Sequence, residues 1–140
     1  MAFSRRDCSL LFLPALLARA LPAAGTPLVS QTYRFEDLPV RTSGANRYRA
    51  VLDGLTHEGW AVELHETQLA PGSQPHPPHR HVHEEVFLLR EGTVEVTISG
   101  RSTRLGPGSV AFVASNEEHG IRNAGTSPAE YFVIALGKKM

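Results

Sequence analysis

Cysteine is almost absent from the sequence, which has one, Cys8, in 140 residues. Cys8 lies within residues 1–24, a segment with the features of a removable signal peptide. Without that segment the chain contains no cysteine, which excludes disulfide bridges, thiolate metal ligands and a cysteine nucleophile. A metal site in the mature chain must therefore be built from nitrogen and oxygen donors.

The sequence also has no excess of charge of either sign. Lysine and arginine together number 14, as do aspartate and glutamate, and the isoelectric point is about 7.1. A nucleic-acid-binding surface or a strong attraction to anionic membranes would need a basic excess. We therefore expect no nucleic-acid partner, and we expect a small-molecule substrate or ligand instead.

No apolar run reaches the roughly 20 residues that a membrane-spanning helix needs, so we expect no stable membrane insertion. The N-terminal run Leu10–Ala18 is short and interrupted by a proline. It follows Ser4-Arg5-Arg6, which resembles a twin-arginine export signal, and it precedes small residues typical of a cleavage site. An ordinary secretory signal is the alternative. We predict a signal peptide over residues 1–24, a periplasmic or secreted location, and one domain over residues 25–140.

Glycine and proline are abundant, at 12 and 10 residues. They separate short segments in which apolar and polar residues alternate, such as Val94–Ile98, or which are wholly apolar, such as Val110–Val113. Strands separated by turns every 8–12 residues or so predict an all-β sandwich or barrel. We expect the aromatic residues within these segments to pack in its core, among them Trp60, Phe112 and Tyr131.

Four of the seven histidines fall between Gln74 and Glu85. His79 and His81 are two residues apart, so in a strand both would point to the same side and could bind one metal. Glu85 lies four residues beyond His81, about 13 Å away along a straight strand, so it could join them only if the chain bends in between. His119 is distant in sequence, and a barrel could bring it beside them.

Other interpretations of these histidines remain open. His79 and His83 have the spacing of a helical zinc site, but Pro77-Pro78 directly before them disfavours a helix. A solvated loop rich in histidine and proline, with no specific metal, is a further alternative. His76 and His83 could be acid–base groups beside the ligands, or exposed loop residues.

The spacing resembles the two motifs of the cupin family. The first cupin motif, G-(x)5-H-x-H-(x)3,4-E-(x)6-G, is matched by Gly72, His79, His81, Glu85 and Gly92, with one extra residue after the first glycine. The resemblance extends from about Glu66 to Leu136. It implies a single-domain cupin β-barrel of the jelly-roll type.

The second cupin motif, G-(x)5-P-x-G-(x)2-H-(x)3-N, is matched at its end by His119 and Asn123. Ala114 and Asn116 stand where the family usually has proline and glycine, so the departures affect turn residues and spare the histidine.

The resemblance implies that His79, His81, Glu85 and His119 hold one divalent transition metal per chain. Three imidazoles and one carboxylate suit Mn, Fe, Ni, Zn or Cu better than Ca or Mg. Four protein ligands leave a position open for substrate. Glu85 is the candidate catalytic residue, because a carboxylate can also accept a proton.

The expected function is that of a metal-dependent enzyme acting on a small organic molecule, with a dioxygenase-like oxidoreductase favoured. The alternatives are a metal-dependent isomerase or lyase and a non-catalytic periplasmic module that binds a small ligand or metal, because the fold does not choose among them. A homodimer is also expected. Residues Thr26–Leu38 are too apolar for a free tail, and cupins often pair by adding such a strand to a neighbouring sheet; packing on its own barrel is the alternative.

Overall fold

The computed structural model describes residues 27–138, and strands dominate this range. A single turn of 3-10 helix, Phe35–Asp37, comes first, and no helix in the range is long and apolar enough to cross a membrane. Nine strands follow: β1 (Val40–Ser43), β2 (Asn46–Leu55), β3 (Trp60–Leu69), β4 (Glu84–Glu91), β5 (Val94–Ile98), β6 (Arg101–Leu105), β7 (Val110–Val113), β8 (His119–Asn123) and β9 (Ala129–Lys138). The predicted signal peptide lies outside the described residues.

The strands form two antiparallel sheets. The larger has the order β1-β2-β3-β9-β4-β7 and the smaller the order β6-β5-β8. Over residues 27–138, strand pairing does not join the two sheets into a closed barrel. The predicted all-β jelly-roll fold is confirmed, since inner-face residues of both sheets share one core.

That core shows the two-residue period of strands, because alternate side chains point to opposite faces. Phe87, Leu89 and Tyr131 of the large sheet pack with Val94 and Val96 of the small one, and all are buried. The expected burial of Tyr131 is therefore confirmed.

The same expectation is wrong for Trp60 and Phe112, whose exposed fractions are 45% and 54%. Trp60 is the first residue of β3, directly after a turn, and Phe112 lies on the outer face of the edge strand β7. The wholly apolar segment Val110–Val113 carried no alternation that would have separated its two faces.

The segment before β1 lies against its own domain. The Leu28 N–H donates to the Leu55 carbonyl at 2.8 Å, and the Phe35 ring lies 4.4 Å and 4.6 Å from the guanidinium carbons of Arg49 and Arg90. Residues 33–35 form no strand, and Phe35 begins the 3-10 turn. The homodimer stays a prediction, which a mass measurement in solution at micromolar concentration would check.

Candidate metal centre

Backbone hydrogen bonds hold the histidine-rich loop between β3 and β4 against the start of β8. His79 and His119 exchange two of them, each 3.0 Å long, and the Asn116 N–H donates to the His81 carbonyl at 2.8 Å. The rings of His79, His81 and His119 consequently form a triangle with centroid separations of 4.7 to 5.0 Å. Residues 40 positions apart in the chain thus share one site.

Each ring in this triangle has a buried nitrogen without a hydrogen-bond partner. These atoms are Nδ1 of His79 and Nε2 of His81 and His119. The three residues can each offer a ring nitrogen within 4.8 Å of the other two. An unpartnered buried polar atom costs roughly 1–3 kcal/mol, so three together need an explanation.

The other ring nitrogens identify which tautomer is present. Nδ1 of His81 lies 2.9 Å from the His83 carbonyl, and Nδ1 of His119 lies 2.9 Å from the Glu117 carbonyl. A carbonyl oxygen can only accept, so each Nδ1 carries the hydrogen and each neutral ring has its lone pair on Nε2. This is the arrangement by which proteins orient histidine ligands toward a metal. Burial and the neighbouring imidazoles lower the pKa of His79, which favours its neutral form as well.

Glu85 completes the group from the second residue of β4. The chain bends between His81 and β4, and the Glu85 carboxylate oxygens lie 3.3 Å from His81 Nε2 and 3.2 Å from His119 Nε2. A carboxylate oxygen facing an imidazole lone pair at this distance is repulsive unless a cation or a proton lies between them. This set of nitrogen and oxygen donors therefore fits a divalent transition metal.

His83 belongs to a second group that could hold a metal, with His81 and Glu85. Its ring stacks on His81 with a centroid distance of 3.5 Å and an interplanar angle of 8°. A metal bound to an imidazole lies in the ring plane, and two nearly parallel planes cannot meet at one ion. His83 is thus a neighbour that donates to Glu85 Oε1 at 3.4 Å, and not a ligand of the same ion as His81.

His76 lies beside the triangle without joining it. Its ring packs edge-on against His79 with a centroid distance of 4.2 Å, and its side chain is exposed. His76 and His83 thus both lie beside the candidate ligands, as the sequence suggested. His79 and His83 do not lie on a helix, so the helical zinc site is excluded.

A cavity of about 230 Å³, the metal cavity, opens beside this centre. Glu85 and His119 line it together with Tyr48, His65 and Tyr131. His65 Nδ1 donates to Glu63 at 2.8 Å, and the Tyr48 hydroxyl donates to Glu63 Oε1 at 3.2 Å. Burial and the Glu63 carboxylate raise the pKa of Tyr48, which keeps this hydroxyl protonated.

Pairing across three strands places Glu63 and Glu85 in one row. Both are paired with Ala135 of β9, from opposite sides. Their backbones are thus separated by two strand spacings, about 10 Å, with only a methyl group between them. Glu63, His65 and Tyr48 escaped the sequence analysis, although Glu63 and His65 share one face of the alternating segment that begins at Trp60.

Two clefts of about 650 Å³ each lie at the open end of the fold. The inner cleft is lined by Asp53, Glu63, His83 and Glu85 together with apolar side chains, so it reaches the metal centre through Glu85. The outer cleft includes Trp60, Glu58 and Glu84. The two clefts share Val82, Leu136 and Gly137 of their lining, so they adjoin one another.

Comparisons with known proteins agree with this fold. The family model described as Cupin domain matches residues 65–135, half of the chain. Among solved structures, an RmlC-like cupin from Shewanella frigidimarina has a TM-score of 0.65 at 17% identity, covering 79% of this chain and 94% of that one. KdgF from a Halomonas species has a TM-score of 0.67 at 14% identity, covering 78% and 96%.

Among curated proteins, the L-ectoine synthases of Bordetella parapertussis and Bordetella bronchiseptica are each 32% identical over 66 residues. The match covers 46% of this chain and 50% of each relative. The chain thus spans about half the length of the curated relatives it matches.

Proposed function

Since the chain belongs to the cupin family, we propose that it is a metal-dependent enzyme that transfers a proton on a small organic molecule. The observation that carries this proposal is the set of three buried, unpartnered imidazole nitrogens of His79, His81 and His119, the last of which lines the metal cavity with Glu85. With Glu85, these residues would hold one divalent transition metal, of a kind that the donor set leaves open among Mn, Fe, Ni, Zn and Cu. When bound, such a metal supplies Lewis-acid polarisation of a substrate oxygen.

The lining of the metal cavity also provides a proton-transfer group. Glu63 fixes the His65 ring by accepting from its Nδ1, so the lone pair is on Nε2 of a residue that lines the metal cavity. A histidine oriented by a carboxylate is a common general acid–base arrangement. Tyr48, whose ring lies 4.7 Å from that of His65, donates to the same Glu63 oxygen and so helps to hold the carboxylate in place.

Glu85 is the second candidate for proton transfer. Its carboxylate oxygens lie 3.2 to 3.4 Å from ring nitrogens of His81, His83 and His119, and a lone pair that neither the metal nor the His83 hydrogen bond uses can accept a proton from substrate. We expect Glu85→Gln to lose far more rate than metal, because the amide oxygen still ligates weakly but cannot take the proton. A metal-loaded Glu85→Gln protein that retains the wild-type rate would leave Glu85 as a ligand only.

The reaction class that these residues favour is that of an isomerase, lyase or cyclising enzyme, because a histidine–carboxylate pair serves proton transfer. The partial relatives are named L-ectoine synthases, which agrees with an enzyme that acts on a small organic molecule. A dioxygenase-like oxidoreductase is the second candidate, favoured by a donor set of nitrogen and oxygen atoms that can hold Fe or Mn.

The first experiment is metal analysis of the protein purified from its native compartment. We expect one metal per chain, with sharp loss in His79→Ala, His81→Ala and His119→Ala. His57→Ala, on the outer cleft, and His65→Ala are the matched controls and should keep full metal content. Equal loss in all five variants would indicate non-specific binding by histidines and contradict the proposed site.

The same variants separate catalysis from binding alone. An enzyme of the proposed kind loses turnover in His65→Ala while it keeps its metal. A non-catalytic binding or metal-storage module would retain metal tightly and show no turnover in any form. A redox-inert metal in active protein would exclude the dioxygenase.

Export is proposed from the sequence alone, because Ser4-Arg5-Arg6 precedes a weak apolar run. Folding around metal before export would protect a weakly bound ion from Cu and Zn, which outcompete Mn and Fe. Changing both arginines to lysine keeps the charge and should block twin-arginine export. Undiminished export of that variant would indicate the ordinary secretory route.

A further inference from the structure

We propose that the part of the substrate lying in the two clefts is apolar and neutral or cationic, and that a second anionic group is rejected there. This inference rests on the proposed function, because it assumes that one end of the substrate meets the metal centre. It concerns the other end, which would extend from Glu85 into the inner cleft and toward the adjoining outer cleft.

The lining of the two clefts contains five carboxylates and two histidines, His57 and His83. Among the described side chains around the metal cavity and both clefts there is no lysine or arginine. The carboxylates there are Asp53, Glu58, Glu63, Glu84 and Glu85. Proteins that recognise phosphate or carboxylate groups place arginine or lysine at the contact, so an anionic group here would face repulsion without compensation.

Three arginines of the described chain are held in ion pairs outside the two clefts. Arg49 pairs with Glu66 at 2.7 Å, Arg90 with Glu130 at 3.1 Å and Arg122 with Glu95 at 2.9 Å. None of these three can turn into the clefts without breaking a pair. They therefore do not offset the carboxylates of the clefts.

The remaining walls are apolar and include an aromatic ring. Val62, Val82, Ala135 and Leu136 line the clefts, and Trp60 lines the outer one beside Glu58 and Glu84. An indole face next to carboxylates is a favourable environment for an ammonium group. The inner cleft and the metal cavity share Glu85, and His119, which is 2% exposed and has an unpartnered Nε2, lines that cavity, so a ligand of the metal centre has the inner cleft beside it.

The test uses three probes with one skeleton and one metal-binding carboxylate. 4-Aminomethylbenzoate has a cationic tail, 4-methylbenzoate a neutral tail and terephthalate an anionic tail. Each is titrated calorimetrically into the Zn²⁺-saturated protein, and the fluorescence of Trp60, the single tryptophan of the sequence, reports whether the probe reaches the outer cleft. We expect the cationic and neutral probes to bind about three- to tenfold more tightly than terephthalate, the range of partly exposed charge interactions.

Charge variants assign the effect to the clefts. Asp53→Asn combined with Glu84→Gln should reduce the preference for the cationic probe over terephthalate, while Glu91→Gln, exposed outside the clefts, should leave it unchanged. The same order, at lower affinity, is expected for the metal-free protein. Tightest binding of terephthalate, or no binding of any probe to the zinc-loaded protein, overturns the inference.

The outcome is separable from that of the proposed function. Metal content is measured on the same samples before titration, so a protein without metal contradicts the metal centre. A protein that holds its metal but prefers terephthalate contradicts only the substrate class.

Discussion

The two ends of the central strands contain buried polar groups of opposite kinds. At the closed end, Asn123 is fully buried, and its side chain donates to the Leu69 and Ser127 carbonyls at 3.0 Å and 2.8 Å. Its oxygen accepts from the Gly125 N–H at 2.9 Å, so its hydrogen-bonding groups are used. At the open end, the imidazoles of His79, His81 and His119 each keep one buried nitrogen without a partner.

Three strands of the large sheet, β3, β9 and β4, run between these two ends. Thr67, Tyr131 and Leu89 form one row across β3, β9 and β4 and are buried. Two residues further along each strand come His65, Val133 and Phe87, and after them Glu63, Ala135 and Glu85, which line the inner cleft. Satisfied polar groups among large side chains indicate a structural role, whereas unsatisfied ones beside a cavity indicate a ligand.

The largest expected effect is the rise in stability when the open end is saturated with metal. A ligand bound only by the folded state stabilises it by about 4 kcal/mol at about 1,000 times its dissociation constant. We expect a Tm several degrees higher with Zn²⁺ or Mn²⁺ and a return to the metal-free value with a chelator. Binding should weaken as pH falls, because the ligands must be deprotonated. An unchanged Tm in the wild-type protein would mean that the unpartnered nitrogens bind no metal ion.

Removing the satisfied group at the closed end should have the next largest effect. Asn123→Ala leaves two carbonyls and one N–H without their partner, at a cost of about 3 kcal/mol in the free energy of unfolding. Metal content per folded chain should stay at the wild-type value. Denaturant unfolding with parallel metal analysis checks both, and loss of metal without loss of stability would contradict the structural role of Asn123.

Glu85→Gln sharpens the comparison at the open end. A partner of a metal ligand changes affinity by about 10–100-fold, and we expect the ligand itself to lie at the upper limit of that range, about 100-fold. Competition with a metal-sensitive dye measures the change. Glu84→Gln, the neighbouring exposed carboxylate, is the control and should retain wild-type affinity.

The smallest effect is expected for His83→Ala. The stacked geometry excludes His83 from the ligand set of His81, so metal stoichiometry should be unchanged and affinity reduced by about tenfold or less through the lost hydrogen bond to Glu85. A loss as large as that in His81→Ala would show that the ion binds in the second group instead.

Sequence reasoning predicted the local features of this protein. The spacing of His79, His81, Glu85 and Gly92 identified the candidate ligands, and alternation located most strands. Gly92 shows why such a motif can be recognised from sequence. Its φ is +80°, and a Cβ there would lie 2.6 Å from the Pro128 carbonyl oxygen, so only glycine fits the turn. Turn geometry and strand period act over a few residues and are therefore present in the sequence.

The tertiary structure alone decided which face of β3 points inward. Alternation separates Trp60, Val62 and Leu64 from Ala61, Glu63 and His65, and the apolar set would be expected inside. The structure turns Glu63 and His65 toward the cavities, and Trp60 remains 45% exposed. A period of two defines two faces but not which is buried, because that depends on the strands and segments packed on each side.

The same limit applies to the site as a whole. The sequence by itself determined a β-rich, cysteine-poor domain with nitrogen and oxygen ligands at set spacings. Only the fold decided that His119 lies 4.7 Å from the His79 and His81 rings and that His65, held by Glu63, lines the same cavity as His119 and Glu85. These contacts join residues far apart in the chain, and strand pairing and the shared core, rather than local preference, bring them together.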